Sequence, residues 1–360
     1  MNDIILKSNY GGLSVGYSSP IRVNCNIGAN NIGHIDIEKK KVDTIFLYNN
    51  TSPDIMMDLS TIRALPTDSL YYYIATNHKV PIGTVPIYLA ARLDSLDRNH
   101  ILDILHEQAE NGVSFFTIHF TADKALLDIA NKTRKIPVTS RGGGIILKDV
   151  IKNNKTSNIY IDIFDSIVNI ALKYNITISL GATFRPAGII DSCDKVHLEE
   201  TKLQLQICKK LKKKGVNVIV ENIGHIDLKT LEQHSNLLRE FDSPIMPLGP
   251  LLTDIGMEMD NIVSAIGASF SAYWGCAHII NSITPIEHLN SSIDINNLMI
   301  GIKTAKLVAH IINLTNYKDV KNLDNNIYEQ RSQTESCMIN NACDRCSNYC
   351  PLKLDSYDEF

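Results

Sequence analysis

The chain has 360 residues, with 35 basic against 39 acidic side chains and 44% apolar residues. These values exclude a disordered or collagen-like chain, and a formal net charge of −4 lacks the basic excess of a general nucleic-acid binder. The length suits one large domain or two ordinary ones.

MNDIILKSNYGG has no basic region followed by a long apolar run, so no secretory signal is expected and the reading is cytoplasmic, with thiols reduced. Short apolar, β-rich runs then recur along the chain: RVNCNIG, DIMMDLS, VPIGTVPIY, SFFTIHF, IPVTSRGGG, ITISLGATFRP, VNVIVENIGH, SPIMPLGP and HIINSITP. They are apolar nearly throughout, as strands buried on both faces of a parallel sheet are. Helical segments separate them. HILDILHEQAENG stops at a glycine, and TKLQLQICKKLKKKG stops at a lysine-rich turn and Gly215. The lysines at 209 to 214 read as a solvated helix C-terminus favoured by the macrodipole. Residues 262 to 280 carry no formal charge but are diluted by serines, glycines and His278; they read as a buried helix and a strand, with no membrane span expected.

Strand followed by helix, repeated about eight times, predicts an α/β chain folded as a (β/α)8 TIM-type barrel with a C-terminal cysteine-rich tail. Nine candidate strands compete for eight places, so one is a cap or an edge piece. A doubly wound open sheet is the alternative, weakened by the lack of a GxGxxG after an early strand. The predicted division is a barrel over residues 1–315 and a linker with the cysteine tail over 316–360.

Barrel enzymes carry their sites at the C-terminal ends of the strands. Polar residues gather at those predicted ends: Asn24, Asn26, Asp58, Tyr88, His119, Ser140, Arg141, Arg185, Glu221, His225, Glu287 and His288. In SRGGG, backbone amides at glycines, the Arg141 charge and the Ser140 hydroxyl suit a phosphate, although a turn needing glycine would use the same residues. His225 and His288, each near a carboxylate in sequence (Glu221 and Glu287), could share one divalent ion.

Four of the eight cysteines, Cys337, Cys343, Cys346 and Cys350, lie within one short stretch. Cys343, Cys346 and Cys350 form C-x2-C-x3-C, compact enough for a [4Fe–4S] cluster held by three thiolates with one iron open for S-adenosylmethionine. A four-cysteine zinc knuckle and an electron-transfer cluster fit the same spacing.

Several stretches together resemble the phosphomethylpyrimidine synthase (ThiC) family: GLSVGYSSPIRVNCNIG, MDLS, VPIGTVPIY, EQAENGVSFFTIH, SRGG, SLGATFRP, VIVENIGH, LGPLLTDI, SAIG and TPIEHL, and then the cysteine tail. The resemblance implies a (β/α)8 barrel with a cluster-bearing tail, in homodimers where one protomer's tail covers the other's active site. It implies a radical S-adenosylmethionine lyase that rearranges 5-aminoimidazole ribonucleotide into a hydroxymethylpyrimidine phosphate, with an external electron donor of flavodoxin or ferredoxin type. Carried onto this chain, substrate contacts fall on Asn26, Met57, Tyr88, His119, Ser140, Arg141, Gly142, Arg185 and Glu221. The divalent metal, Zn or Fe, falls on His225 and His288, and the [4Fe–4S] cluster on Cys343, Cys346 and Cys350. Only Met57 in this set lacks a reading from spacing alone.

Departures from the family concentrate in the pocket. SLGDGLRPG becomes SLGATFRPAG, so an acidic contact becomes Ala182. A tyrosine before LGPL becomes Met246, EGPGH becomes ENIGH, and the STGG turn becomes STIRAL. These changes leave open a divergent paralog giving another product, such as 5-hydroxybenzimidazole for cobamides, or a non-catalytic nucleotide- or metal-binding relative.

Overall fold

The computed structural model describes residues 3–91, 95–289, 293–333, 337–338, 343 and 345–352. An antiparallel hairpin, β1 (Ile4–Ser8) and β2 (Gly11–Val15), comes first. Eight strands then form one parallel sheet: β3 (Arg22–Ile27), β4 (Ile55–Asp58), β5 (Ile82–Thr84), β6 (Phe115–Ile118), β7 (Thr177–Leu180), β8 (Val218–His225), β9 (Ile245–Leu251) and β10 (Ile279–Asn281). They pair in chain order from β3 to β9, with β10 beside β3. At the remaining seam the His278 backbone amide donates to Ile245 O at 2.8 Å and the Asn281 side chain donates through Nδ2 to Pro247 O at 2.9 Å. The sheet is therefore a nearly closed TIM-type barrel, as the alternation of strands and helices predicts.

The helices are α1 (Ile32–Phe46), α2 (Leu70–Asn77), α3 (Ile87–Ala90), α4 (Arg98–Glu110), α5 (Lys124–Thr133), α6 (Arg141–Lys152), α7 (Ile159–Asp162), α8 (Phe164–Tyr174), α9 (Lys195–Lys213), α10 (Leu228–Arg239), α11 (Asp260–Tyr273), α12 (Ile295–Asn316) and α13 (Lys321–Gln333). Their starts are set by side-chain caps. Asn31, Ser69, Asp97, Asp123, Ser140, Asp194 and Asp227 each accept a hydrogen bond from the backbone N–H three residues on. The lysine run closes α9, which is followed by Gly215 at φ +86°. There Lys212 and Lys214 meet Asp242 and Asp165 at 3.0 and 2.9 Å, as expected of a solvated helix end.

Two expectations are corrected. IPVTSRGGG is not a strand: Ser140 caps α6, and Arg141, Gly142 and Gly143 are its first turn. Pro137 cannot donate to a sheet ladder, and a Cβ at Gly142 or Gly143 would lie 2.4 Å from His119 or 2.3 Å from Thr183. Those glycines let the helix end press against the barrel, and eight strands remain for eight places. VPIGTVPIY is a strand only over Ile82–Thr84; with Pro86 at its N-cap, α3 carries Tyr88.

Residues 262 to 280 supply most of α11 and then β10, as read from the sequence. Among the described residues, α12 is the one helix long and apolar enough to cross a membrane, with 39% of that window buried. Its Leu298, Ile302, Ala305, Val308 and Ala309 are buried, the last three against Val23 of β3 and Ile280 of β10. That spacing is the stripe of an outer barrel helix. The hairpin has no counterpart among the predicted strands. Leu6 and Val15 are fully buried in the core, and Ser114, just before β6, donates to Lys7 O. Arg22 at the start of β3 donates to Ser14 O at 3.2 Å. The hairpin thus lies at the N-terminal end of the barrel, opposite the strand ends that carry the polar residues.

The chain divides into two compact units, Met1–Ala309 and His310–Phe360. The first contains the barrel. In the second, His310 Nε2 pairs with Asp324 Oδ2 at 2.7 Å, and a 3-10 turn spans Ser347–Tyr349.

Leu6→Ala opens a cavity under the hairpin and is expected to lower stability by about 2–5 kcal/mol. A urea titration followed by far-UV circular dichroism measures the loss.

Candidate functional site

Of the residues singled out in the barrel, Asn24, Asn26, Met57, Asp58, Glu221 and His225 lie on strands, Tyr88 on α3, Ser140 and Arg141 at the start of α6, and His119, Arg185, Glu287 and His288 in the segments that follow strands. Asn26 and Met57 are register partners on β3 and β4. Asn24, fully buried, donates to Asn26 Oδ1 at 2.8 Å and to Asn281 Oδ1 at 2.7 Å. His119 directly follows β6 and is buried, with Gly142 and Gly181 against its ring. Its Nδ1 has no hydrogen-bond partner among the described residues. Burial, then the Arg185 charge, pushes its pKa down to about 3, so the ring is neutral. Asp58 ends β4 and accepts from Ser60 N at 2.8 Å; burial pushes its pKa up to about 6.

Glu221 of β8 is buried and points to the barrel interior. Its Oε1 accepts from Thr117 at 2.6 Å and Ser179 at 2.7 Å. Burial raises its pKa, while these two hydroxyls and then Arg185 favour the charged form. Arg185 donates to Ala182 O at 3.1 Å. Glu221, Tyr88 and Glu200 favour its charge against the cost of burial. Tyr88 lies between cations: the Arg141 guanidinium is 5.0 Å from its ring centre, and Arg185 also lowers the pKa that burial raises. Tyr88, His119, Arg141, Arg185 and Glu221 therefore converge.

The loop after β7 that carries Arg185 is held by residues the strand-end reading passes over. Glu200 of α9, fully buried, accepts from Thr183 N at 2.5 Å, Phe184 N at 2.8 Å and Thr121 Oγ1 at 2.6 Å. Arg134 makes a bidentate pair with Asp194 at 2.8 and 2.6 Å and donates to Phe184 O at 2.6 Å. Thr139 donates to Arg185 O at 2.9 Å. One signal was available for Glu200: with His197, Thr201, Gln204, Cys208 and Leu211 it falls on one helical stripe of α9, and that stripe is buried.

Ser140 is spent on capping, accepting from Gly143 N at 3.2 Å. Arg141 is exposed at the N-terminus of α6, the favourable end of the helix dipole for an anion.

His225 ends β8, and His288 lies in the turn after β10; their ring centres are 5.5 Å apart. The carboxylates beside them are not the sequence neighbours Glu221 and Glu287. His225 Nδ1 meets Asp254 Oδ1 at 2.7 Å, and His288 Nδ1 meets Asp260 Oδ1 at 3.1 Å. Glu287 instead accepts from Thr284 Oγ1 at 2.7 Å and Thr284 N at 3.1 Å in its own turn. An Nδ1–H held by a carboxylate leaves the Nε2 lone pair for a metal, the usual outer-shell arrangement of a ligating histidine. Asp254 was visible in LGPLLTDI, but its pairing spans 29 residues and needs the fold.

In the tail Cys337 and Cys346 are exposed, Cys343 is half-buried and Cys350 buried, and none of the eight cysteines is in a disulfide. The three thiols of C-x2-C-x3-C have the donor chemistry of an iron–sulfur site, bracketing the Ser347–Tyr349 turn. Among the described residues no group of three or more His, Cys, Asp or Glu side chains is arranged to hold a metal. The remaining cysteines are of another kind: burial pushes the thiol pKa of Cys25 up to about 12 and of Cys276 up to about 11.

A parallel barrel whose carboxyl-end mouth gathers an arginine, a buried carboxylate and a neutral histidine has the form of a barrel enzyme. The dihydropteroate synthase of Xanthomonas albilineans with 4-aminobenzoic acid shares this fold, with a TM-score of 0.50 over 88% of this chain and 100% of that one, at 8% identity. The Radical SAM ThiC family model matches residues 4–355, and the chain belongs to that family. It is 32% identical to the phosphomethylpyrimidine synthase of Carboxydothermus hydrogenoformans over 83% of this chain and 71% of that one. It is 34% identical to that of Thermotoga petrophila over 82% and 70%, and 31% identical to that of Archaeoglobus fulgidus over 95% and 86%. Membership of a radical S-adenosylmethionine family implies an iron–sulfur cluster and S-adenosylmethionine.

Acid should weaken this fold through its buried neutral histidines. Burial lowers His119 to about 3 and His197 and His278 to about 4. The unfolded chain therefore binds protons that the folded chain refuses. Stability is complete above about pH 6.5 and falls below it by about 1.4 kcal/mol per pH unit for each group, until the folded pKa is reached. Urea midpoints between pH 7.5 and 5 should fall, and His119→Gln should make the decline shallower.

Proposed function

We propose that the protein rearranges 5-aminoimidazole ribonucleotide to 4-amino-5-hydroxymethyl-2-methylpyrimidine phosphate, the pyrimidine precursor of thiamine, as a carbon–carbon lyase of the radical S-adenosylmethionine type. The observation that carries this reading is the convergence of Tyr88, His119, Arg141, Arg185 and Glu221 at one barrel mouth in a chain of this family. A [4Fe–4S] cluster on Cys343, Cys346 and Cys350, with S-adenosylmethionine on its open iron and an electron from a flavodoxin- or ferredoxin-type donor, would supply the radical. Cys337 is a spare.

The chain's own residues bind and orient the substrate. Arg141 and the first amides of α6, shaped by Ser140 and Gly142, receive the phosphate. Asn26, Met57 and Tyr88 line the nucleotide, and the neutral His119 offers a hydrogen bond without adding charge. Arg185 and Glu221 face the polar imidazole substituents. His225 and His288 hold the divalent Zn or Fe. The reading includes a cytoplasmic homodimer, a barrel over residues 1–315 and a cluster-bearing tail over 316–360.

A second reading is favoured by two residues. Ala182 and Met246 are fully buried, and Met246 stands opposite Glu221 in the β8–β9 register. Where the family places a carboxylate and a phenol, this mouth has apolar surface. Losing a hydrogen bond of that kind costs about 1–3 kcal/mol, enough to favour another product from the same or a related ribonucleotide, such as 5-hydroxybenzimidazole, or to leave binding without turnover.

Protein reconstituted without oxygen and incubated with 5-aminoimidazole ribonucleotide, S-adenosylmethionine and a reductant should yield 5′-deoxyadenosine and the pyrimidine phosphate by mass spectrometry. A different imidazole-derived product supports the second reading, and nucleotide binding with no 5′-deoxyadenosine points to a non-catalytic relative. Cys343→Ala should abolish cleavage of S-adenosylmethionine while nucleotide binding persists. Arg141→Ala should weaken nucleotide binding by about 1–3 kcal/mol, read by calorimetry.

A further inference from the structure

Behind the β8 strand that carries Glu221 and His225 lies a closed polar cluster. Its centre is Asn222, fully buried, whose side chain has every hydrogen-bonding position committed. Its Oδ1 accepts from Ile223 N at 2.6 Å and pairs with His234 Nε2 at 2.9 Å and His197 Nε2 at 3.1 Å. Its Nδ2 donates to Gln204 Oε1 at 2.7 Å and Thr201 Oγ1 at 3.2 Å. His197 Nδ1 accepts from Cys193 N at 3.2 Å, so its Nε2 carries the proton and donates. Gln204 in turn donates to Leu180 O at 3.1 Å and Glu221 O at 2.8 Å, joining the ends of β7 and β8.

The backbone that this cluster grips is unusual. Ile223, β-branched and fully buried, sits at φ +74°, followed by Gly224 at +115°. A left-handed isoleucine persists only where its surroundings over-determine it. The β8–β9 register shifts between Ile223 and His225, and the His225 amide then donates to Pro186 O at 3.2 Å.

We propose that Asn222 is a positioning residue: by holding the Ile223 amide it keeps the β8 end bent, and so aims His225 at His288. This rests on reading those two histidines as the metal pair. The cluster acts on the backbone between Glu221 and His225 without touching either side chain. The ENIGH sequence, with a side chain where the family's EGPGH has glycine, is the local signature of this device.

The test compares Asn222→Ala, the double variant Asn222→Ala/Ile223→Gly, and the parent protein. Cobalt(II) titrations followed by visible absorption should show binding about 10- to 100-fold weaker in N222A, with the double variant recovering most of the loss, because glycine enters the left-handed region unaided. In metal-free protein, the His225 ring resonance, assigned through His225→Ala, should move in N222A and return in the double variant. If N222A does not fold, Thr201→Val, which removes one anchor of the amide, should displace the same resonance. Parent-like cobalt affinity and an unmoved resonance, with only the melting temperature lowered, would overturn the proposal. Cobalt binding unchanged in both His225→Ala and His288→Ala would sink the metal-pair reading instead, and the metal-free resonance would still decide the role of Asn222.

Discussion

A guanidinium held inside the barrel mouth sets the terms for the surrounding structure. Arg185 is balanced by Glu221 from β8 and by Glu200 from α9. A buried charge is tolerable only when partners and hydrogen bonds surround it, and each partner here is itself anchored. Glu221 is held by Thr117 and Ser179, and Glu200 closes the turn after β7 through two backbone amides. Arg134 and Asp194 clamp the same turn from outside, at the Phe184 carbonyl. Glu200 of α9 and Arg134 after α5 therefore fix the loop that carries Arg185, while β6 and β7 fix the carboxylate that faces it. The neutral His119, pressed between Gly142 and Gly181, belongs to the same electrostatics, because a second cation beside Arg185 would be repelled.

The mouth sets its charged groups beside buried apolar side chains. Arg185 donates to the Ala182 carbonyl. The apolar Met246 stands opposite Glu221 in the β8–β9 register. The charged residues are anchored by the hydrogen bonds around them, independently of the apolar Ala182 and Met246 side chains. His225 and His288 are paired with Asp254 and Asp260, and in the turn preceding His225 the Asn222 side chain accepts from the Ile223 amide.

Much of the barrel was legible because fully buried strands leave a plain trace. The apolar runs around β4, β6 and β7 have no solvent face to alternate toward, and glycines mark the ends of α4 and α9. The run containing SRGGG misled because Ile136 and Val138 look like strand residues, whereas Pro137 and the Ser140 cap decide for a loop and a helix. The β1–β2 hairpin was passed over: only two of its side chains, Leu6 and Val15, reach the core fully, so its pattern was too weak to stand out. Of the polar residues read as strand ends, His119 and Arg185 follow β6 and β7, whereas Tyr88 lies on α3 and Glu221 within β8.

Sequence by itself determined the alternation of most strands and helices and the family, because those follow from hydrophobic period, capping residues and motif spacing. Tertiary structure alone decided the partnerships. Asp254 and Asp260, rather than Glu221 and Glu287, support the two histidines; Glu200 and Arg134 shape the Arg185 loop; Asn222 grips the end of β8. Each joins residues at least 16 positions apart or depends on a buried face of α9, apart from the Asn222 bond to its own neighbour. Hydrogen bonds of a few ångströms between distant segments leave no periodic mark in the chain, and only closure of the barrel brings their donors and acceptors within reach.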